Sequence, residues 1–343
     1  MDAEELTRLL KETRRKLNLT RGASPQVQRV LEHPAGQLHA IVPDRAEKSQ
    51  CIGPGGKIVA ELAQRIGKDI AFHGFDELAL RQVRLRASKS RIHEITERVE
   101  SENRSLLAVF ERLIDLEIAF PAQSVHDYEA YHKNGEVAAS YSGGVDSSAA
   151  LVILERAQVD CVAYTVSPDP RILPPPHIDA IQEFCREIQI DCQIIHTPNL
   201  IQGIMSRAKE GLIHPCGECH AAIMGKVIEE ATSNGHHMIV TGQSLPTGRQ
   251  AIQEKEGIIQ IHLPALLSFT KYRMKEILKK RGFPPHREKF GCNFLSSLHN
   301  DGWSMIGPSV YRILRELEAG VLTSGESLRL IKSVAKQSMK SKK

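Results

Sequence analysis

The chain has 343 residues, 45 of them Lys or Arg and 41 Asp or Glu, for a formal net charge of +4. Hydrophobic residues make up 41% and charged residues 25%, which is ordinary for a globular protein and excludes a wholly disordered chain. No apolar run approaches the ~20 residues of a membrane-spanning helix, so no membrane partner is expected. The charged start, MDAEELTRLLKETRRK, lacks the apolar core of a secretory signal, and the expectation is a cytoplasmic protein. In that compartment the seven cysteines read as thiols or metal ligands and not as a disulfide framework.

In chain order, Leu6, Leu9, Leu10 and Leu17 recur at helical spacing, which predicts an N-terminal helix over 2–16. Residues 21–34 carry Gly, Ser and Pro and read as a linker, so 1–36 forms an N-terminal helix and linker. From Leu38 the pattern tightens. LHAIVP reads as a strand, 45–51 as a short helix, IGPGG as a turn, KIVAELAQRI as a helix stopped by Gly67, and DIAFHG as a returning strand. This small α+β domain is placed at 37–92. It includes a basic run, Arg81, Arg84, Arg86, Lys89 and Arg91, which on a strand would set several cations on one face. A helical pattern then connects through 93–120 to Pro121.

Beyond Pro121, strands and helices alternate: strands at 137–141, 160–166, 191–197 and 237–242, and helices over 147–158, up to 188, and over 219–231. Strands separated by helices imply right-handed crossovers and a doubly wound parallel sheet, with ligands beyond the carboxyl ends of its strands. The domain is placed at 121–335, followed by a basic tail at 336–343. Exposed apolar helices at both ends make a homodimer plausible.

Ser142, Gly143, Gly144, Val145, Asp146, Ser147 and Ser148 lie between a strong strand and a strong helix. Paired glycines let the backbone approach a ligand and aim successive N–H groups at it. The helix start adds its positive dipole end, which suits phosphate. Asp146 makes sense beside an anion when Mg²⁺ lies between them. The competing reading is a tight turn in which Asp146 merely caps the helix. Lys57 after Gly56 is not a Walker motif, since no Ser or Thr follows it.

SGGVDSS after a strand resembles the signature of the PP-loop ATP pyrophosphatases, over about residues 135–320. The resemblance implies a Rossmann-like sheet and cleavage of ATP between the α and β phosphates. A carbonyl or carboxyl oxygen is activated as an adenylate, and a nucleophile then displaces AMP. Carried over, residues 142–148 would cradle the pyrophosphate end of ATP. Tyr164, Thr165 and Val166 would lie near adenine, and Gly242 and Gln243 would line the site.

Cys216 and Cys219 form a C-x₂-C at a predicted helix start, and Cys292 follows later. The helix dipole is expected to lower the pKa of the first two thiols. Two cysteines plus a distant third match a three-cysteine iron–sulfur site of the 4Fe-4S kind, with one iron left open. Zinc completed by His214, His220 or His299, and a metal-free redox or persulfide pair, remain as alternatives. Cys161, Cys185 and Cys192 sit among apolar neighbours and read as core residues; Cys51 receives no metal role.

SGGVDSS, then CxxC, then a single Cys is similar to the iron–sulfur tRNA thiolases of the PP-loop family, among them the 2-thiouridine, 2-thiocytidine and some 4-thiouridine synthetases. The resemblance implies tRNA as partner and Asp146, Cys216, Cys219 and Cys292 as catalytic residues. Several of those enzymes carry an acidic residue after a Gly-His pair on the fourth strand. Here Thr241-Gly242-Gln243-Ser244 stands in that place. No rhodanese-like segment is visible, so sulfide or a carrier protein is the expected sulfur donor.

Gly53, Pro54, Gly55, Gly56 and Lys57 resemble the GxxG loop of KH domains, of the type II arrangement, which clamps the backbone of single-stranded nucleic acid. The resemblance implies RNA binding by this loop, with Arg84 and Arg86 as supporting cations. A plain helical-hairpin turn is the alternative. The expectation for the whole chain is therefore an ATP-dependent tRNA sulfurtransferase. A PP-loop ligase or sulfurtransferase acting on a small molecule, or a zinc-containing RNA-binding protein with a relic nucleotide site, is the alternative.

Overall fold

The computed structural model describes residues 1–33, 36–128, 135–283 and 290–340. They form two compact units, Met1–Ala87 with Arg112–Tyr128, and Ser88–Glu111 with Glu129–Lys343.

The first unit opens with α1 (Ala3–Lys16), whose start is fixed by the Asp2 carboxylate accepting the Glu5 N–H. Acids in its first turn and Arg14, Arg15 and Lys16 in its last match the helix dipole. Strands β1 (Arg29–Glu32) and β2 (Leu38–Val42) pair antiparallel. Next come α2 (Arg45–Ile52), capped by Asp44, then α3 (Lys57–Ile66), which ends on left-handed Gly67. Strand β3 (Ile70–Gly74) returns parallel to β2, in the register Leu38 to Ile70. Leu6, Leu10, Leu38, Ile58, Leu62 and Phe72 share one core. Full burial of each such side chain contributes about 1.5–3 kcal/mol before chain entropy is counted.

Two expectations fail here. The presumed linker over 21–34 contains β1, a four-residue edge strand whose half-exposed pattern is too short to read. The basic run is not a strand: α4 (Phe75–Thr96) is one continuous helix, followed by α5 (Ser101–Ile118). Its cations are consequently dispersed around the helix. Arg81 pairs with buried Glu117, Lys89 with Glu111, and Arg91 with Glu94. Arg84 is half-buried and Arg86 exposed.

The second unit is built on a six-stranded sheet. In chain order it contains β4 (Glu136–Ser140), α6 (Val145–Arg156), β5 (Asp160–Ser167), α7 (Pro175–Glu187), β6 (Asp191–His196), α8 (Gln202–Lys209), α9 (Cys216–Ser233) and β7 (Met238–Thr241). The hairpin β8 (Ile252–Lys255) and β9 (Ile258–His262) follows, then α10 (Leu263–Leu266), α11 (Lys271–Lys280), α12 (Asn293–Leu298), α13 (Trp303–Glu318) and α14 (Ser324–Lys340). The strand order is β6-β5-β4-β7-β9-β8, parallel throughout except for edge strand β8.

This is the doubly wound sheet expected from the alternation. The chain winds outward from β4 to β6, then returns to β7 on the other side of β4. The switch point therefore lies between the carboxyl ends of β4 and β7, where such sheets hold ligands. Helix α6 leaves that point and is closed on all sides, with Ser147 through Leu154 buried. Among the described residues, no helix is long and apolar enough to cross a membrane.

Candidate functional site

The loop 142–148 sits at this switch point. Gly143 has φ +71, and a Cβ there would lie 2.8 Å from Ile181 Cγ1. Only glycine fits both conditions. Gly144, with φ −81, is the N-cap of α6 and brings no side-chain cap. Residues 142–144 are exposed, and the Ser142 amide donates to Ser147 Oγ at 3.3 Å. Beneath them the serines form a scaffold. Ser142 Oγ and Ser147 Oγ are 3.1 Å apart, Ser147 Oγ donates to the Gly144 carbonyl at 3.1 Å, and Ser148 Oγ lies 3.2 Å from the Tyr141 hydroxyl.

Asp146 is not the helix cap. Its Oδ1 accepts from Lys271 Nζ at 2.5 Å and its Oδ2 from Ser244 Oγ at 3.2 Å. Lys271 is buried, with its ammonium held at the loop by this carboxylate. Sequence reasoning missed it, because a lysine at the start of a helix resembles any solvated cation until the fold places it.

Gly242 follows β7 directly. A Cβ there would stand 2.4 Å from both N and Cα of Ser147, so the two backbones touch across the switch point. Beside it, His262 Nδ1 and Thr241 Oγ1 are 2.8 Å apart, and Gln243 N donates to the same threonine oxygen at 3.3 Å. Burial, reinforced by nearby His220, pushes the His262 imidazole down to about 4. It is neutral at neutral pH and able to donate or accept a proton hydrogen bond.

The residues expected near adenine lie deeper. Tyr164 and Val166 are closed into a core with Ala138, Val227 and Ile239. Thr165 is also buried, its Oγ1 donating to the Tyr141 carbonyl at 2.8 Å. Of the three, Thr165 thus reaches the backbone just before the loop, while Tyr164 and Val166 pack away from it.

The cysteines occupy the same edge of the sheet. Cys216 is the first residue of α9, and Cys219 N donates to the Pro215 carbonyl one turn on. Cys292 caps α12, its Sγ accepting from Leu295 N at 3.4 Å. Cys219 and Cys292 pack on one cluster with Ile172, Leu200, Met205 and Phe294. Ile172 and Leu200 follow the carboxyl ends of β5 and β6, as the loop 142–148 follows that of β4.

The thiols do not show the lowered pKa expected of a helix start. Burial pushes Cys216 up to about 11 against the pull of Arg312, with Cys292 adding to the rise. Burial, then Cys292 and Cys216, push Cys219 up to about 11. Desolvation outweighs the dipole here. Among the described residues no three metal-ligating side chains are drawn into a closed coordination group. The donor set nonetheless fits a soft metal or cluster: three half-buried thiols, from two segments, that feel one another's charge. Of the histidines considered as zinc partners, His214 and His299 both approach Ser309 Oγ, at 3.4 and 2.9 Å. Elsewhere Cys51, Cys161 and Cys185 are buried, whereas Cys192 is half-buried and hydrogen-bonds with Cys185.

The glycine turn of the first unit joins α2 to α3. Gly53, Gly55 and Gly56 have φ of 72, 62 and 77, and Pro54 and Gly55 are exposed. Lys57, also exposed, opens α3.

No family model matches the chain. An uncharacterized protein of Methanocaldococcus jannaschii is 26% identical over 212 residues, covering 60% of this chain and 76% of the relative. A second uncharacterized protein of that organism is 31% identical over 146 residues, covering 40% of this chain and 50% of the relative. Among solved structures, a U34-tRNA thiolase of Methanococcus maripaludis, described with its 4Fe-4S cluster, superposes with a TM-score of 0.40. That match has 11% identity and covers 69% of this chain and 80% of the thiolase.

Proposed function

We propose that this chain is an ATP-dependent tRNA sulfurtransferase. The observation that carries the reading is one sheet edge with both the loop 142–148, its Lys271–Asp146 pair included, and three thiols near enough to feel one another's charge. An activation site and a sulfur site are the two halves such a reaction needs.

The amides at the start of α6, with Ser142 and Ser147, receive the phosphates of ATP. Lys271 supplies a positive charge where negative charge builds as pyrophosphate leaves. Asp146 holds that ammonium in place and is the carboxylate available to Mg²⁺. The nucleobase carbonyl oxygen attacks the α-phosphorus and pyrophosphate departs. A sulfur nucleophile, from sulfide or a carrier protein, then attacks the activated carbon and AMP leaves with the oxygen. Cys216, Cys219 and Cys292 would hold an iron–sulfur cluster, which supplies an open iron position for sulfur when bound. Neutral, buried His262, next to Gly242, is placed to hold or pass a proton at its Nε2.

RNA binding is assigned to the turn Gly53–Lys57. An α-β-β-α-turn-α-β order and a mixed three-stranded sheet support the type II KH-like reading of this unit. Exposed Gly55, with nothing within 4 Å of where a Cβ would be, leaves room for a sugar-phosphate backbone.

The test is mass spectrometry of tRNA nucleosides from cells lacking the gene, complemented with the wild-type chain or with Cys292→Ser. The deletion is expected to lose one thionucleoside. Wild type restores it, and Cys292→Ser does not. An unchanged thionucleoside profile in the deletion overturns the reading.

A further inference from the structure

The C-terminal hairpin of α13 and α14 packs through Ile306, Ile313, Leu322 and Val334. Its outward faces differ in chemistry. On α13, Trp303, Tyr311 and Leu314 follow a spacing of eight and three residues and share one exposed face. Trp303 is 71% exposed and is the only tryptophan of the chain. Its indole lies along the helix, Nε1 standing 3.4 Å from where a Cβ at Gly307 would be, and most of the side chain is open to solvent. Arg315 borders this face, and exposed Glu318 is its acidic member. On α14, Leu328, Arg329, Lys332 and Lys336 share the exposed face. The nearby acid, Glu326, is turned away, accepting from Thr323 N and Oγ1 and pairing with Lys275.

The opposite side of α13 belongs to the thiol site. Met305 lies in the cluster that includes Cys219 and Cys292, and Ser309 is approached by His214 and His299. Arg312 lies over the Phe290 ring at 5.7 Å, and its charge is felt at Cys216.

From this arrangement we infer that the outward faces of α13 and α14 bind an unpaired stretch of RNA, with bases stacked on Trp303 and Tyr311 and phosphates on Arg329, Lys332 and Lys336. Exposed aromatic rings interleaved with cations are the chemistry that recognises single-stranded nucleic acid. The basic face of α14 opposes pairing with an identical copy of itself, whereas a polyanion is attracted to it. The position fits as well, since one helix carries this surface and backs the thiols to which a base has to come. The inference rests on the RNA substrate proposed above but names a surface separate from the turn Gly53–Lys57.

The single tryptophan makes the test direct. The full chain is titrated with an oligouridylate of about twelve nucleotides, with tryptophan emission and probe anisotropy both read. Saturable quenching that tracks the anisotropy change is expected. Trp303→Ala and Tyr311→Ala should each weaken probe binding by about 5-fold or more, and Lys332→Glu with Lys336→Glu should flatten its salt dependence. Circular dichroism and thermal unfolding establish that each variant is folded. Probe binding with unchanged tryptophan emission overturns the inference, as does failure of the wild-type chain to bind. It is equally overturned if light scattering shows a dimer that Trp303→Ala dissociates while probe affinity stays the same. Quenching in a chain that restores no thionucleoside supports this surface and sinks only the proposed reaction. Thionucleoside restored by a wild-type chain whose emission does not respond to RNA does the reverse.

Discussion

The chain has glycine turns at the starts of α3 and α6, and they are constrained from different places. At 142–144 the turn is fixed from outside. Gly143 abuts Ile181, and Gly242 arrives from another strand to touch the backbone of Ser147. At 53–56 the constraints are local: a Cβ at Gly53 would lie 2.6 Å from Ile58 Cγ1, five residues on, while Gly55 and Gly56 are held by their dihedrals. Gly53, Gly55 and Gly56 all have positive φ, yet a Cβ at Gly55 would meet nothing within 4 Å. A packed turn holds its amides rigid, which suits electrostatic work on a reacting phosphate. An open turn offers room, which suits sliding a polymer backbone past it. The glycines look alike in sequence, and their surroundings set the turns apart.

The contrast breaks most visibly at Gly242. Gly242→Ala puts a methyl into backbone 2.4 Å away, and backbone has no rotamer by which to escape. The expected cost is about 3 kcal/mol or more, seen in thermal unfolding, together with loss of pyrophosphate release from ATP. A stable, active Gly242→Ala chain would show that the switch point is not the closed contact described. Lys271→Met comes next. Removing the ammonium from Asp146 should slow pyrophosphate release by about 10²–10³-fold, with the chain still folded by circular dichroism. Lys57→Ala, at the open turn, should leave that rate unchanged.

The same contrast explains what the sequence could tell. The loop 142–148 and the three cysteines are local patterns, and the alternation around them specifies a doubly wound sheet. Lys271 and His262 reach the site only through the return of the chain to β7 and β9, a long-range event that carries no local signature. The β8–β9 hairpin did have one. Glu256 and Gly257 form a two-residue turn with φ of 53 and 78, the pattern favoured between antiparallel strands. The basic run, with cations spaced by threes and twos, fits a strand face as readily as a helix, and the charged, Leu- and Arg-rich stretch from Phe75 to Thr96 favours the helix. The raised pKa of the thiols has a different reason, since Cys219 is packed against a cluster that includes Phe294 and Met305, far along the chain.

Acid should separate the two regions further. Burial holds His262 neutral, with its pKa pushed down to about 4, whereas the unfolded imidazole takes its proton near the ordinary value of about 6.5. The unfolded chain therefore binds more protons as pH falls below about 6.5. The stability tied to neutral His262 is complete above that value, declines below it, and is lost as pH passes the folded value of about 4, by up to about 3 kcal/mol. Urea unfolding at pH 7 and pH 5 measures the loss. His262→Gln, which keeps a hydrogen-bonding side chain without the titration, should flatten the acid dependence. An equally steep pH dependence in that variant would assign the acid sensitivity to other groups.

The smallest effect is expected at the open turn, where Gly55→Ala adds a methyl to empty space and forces alanine into φ +62. The folding cost should be about 1 kcal/mol, far below that of Gly242→Ala, and pyrophosphate release from ATP should be unaffected. RNA affinity is the informative reading. If the turn receives a sugar-phosphate backbone, the added methyl stands where a phosphate has to pass, and binding of an unstructured oligoribonucleotide should weaken by several-fold. If affinity stays at the wild-type level while the chain loses that ~1 kcal/mol, the openness of this turn serves chain reversal alone.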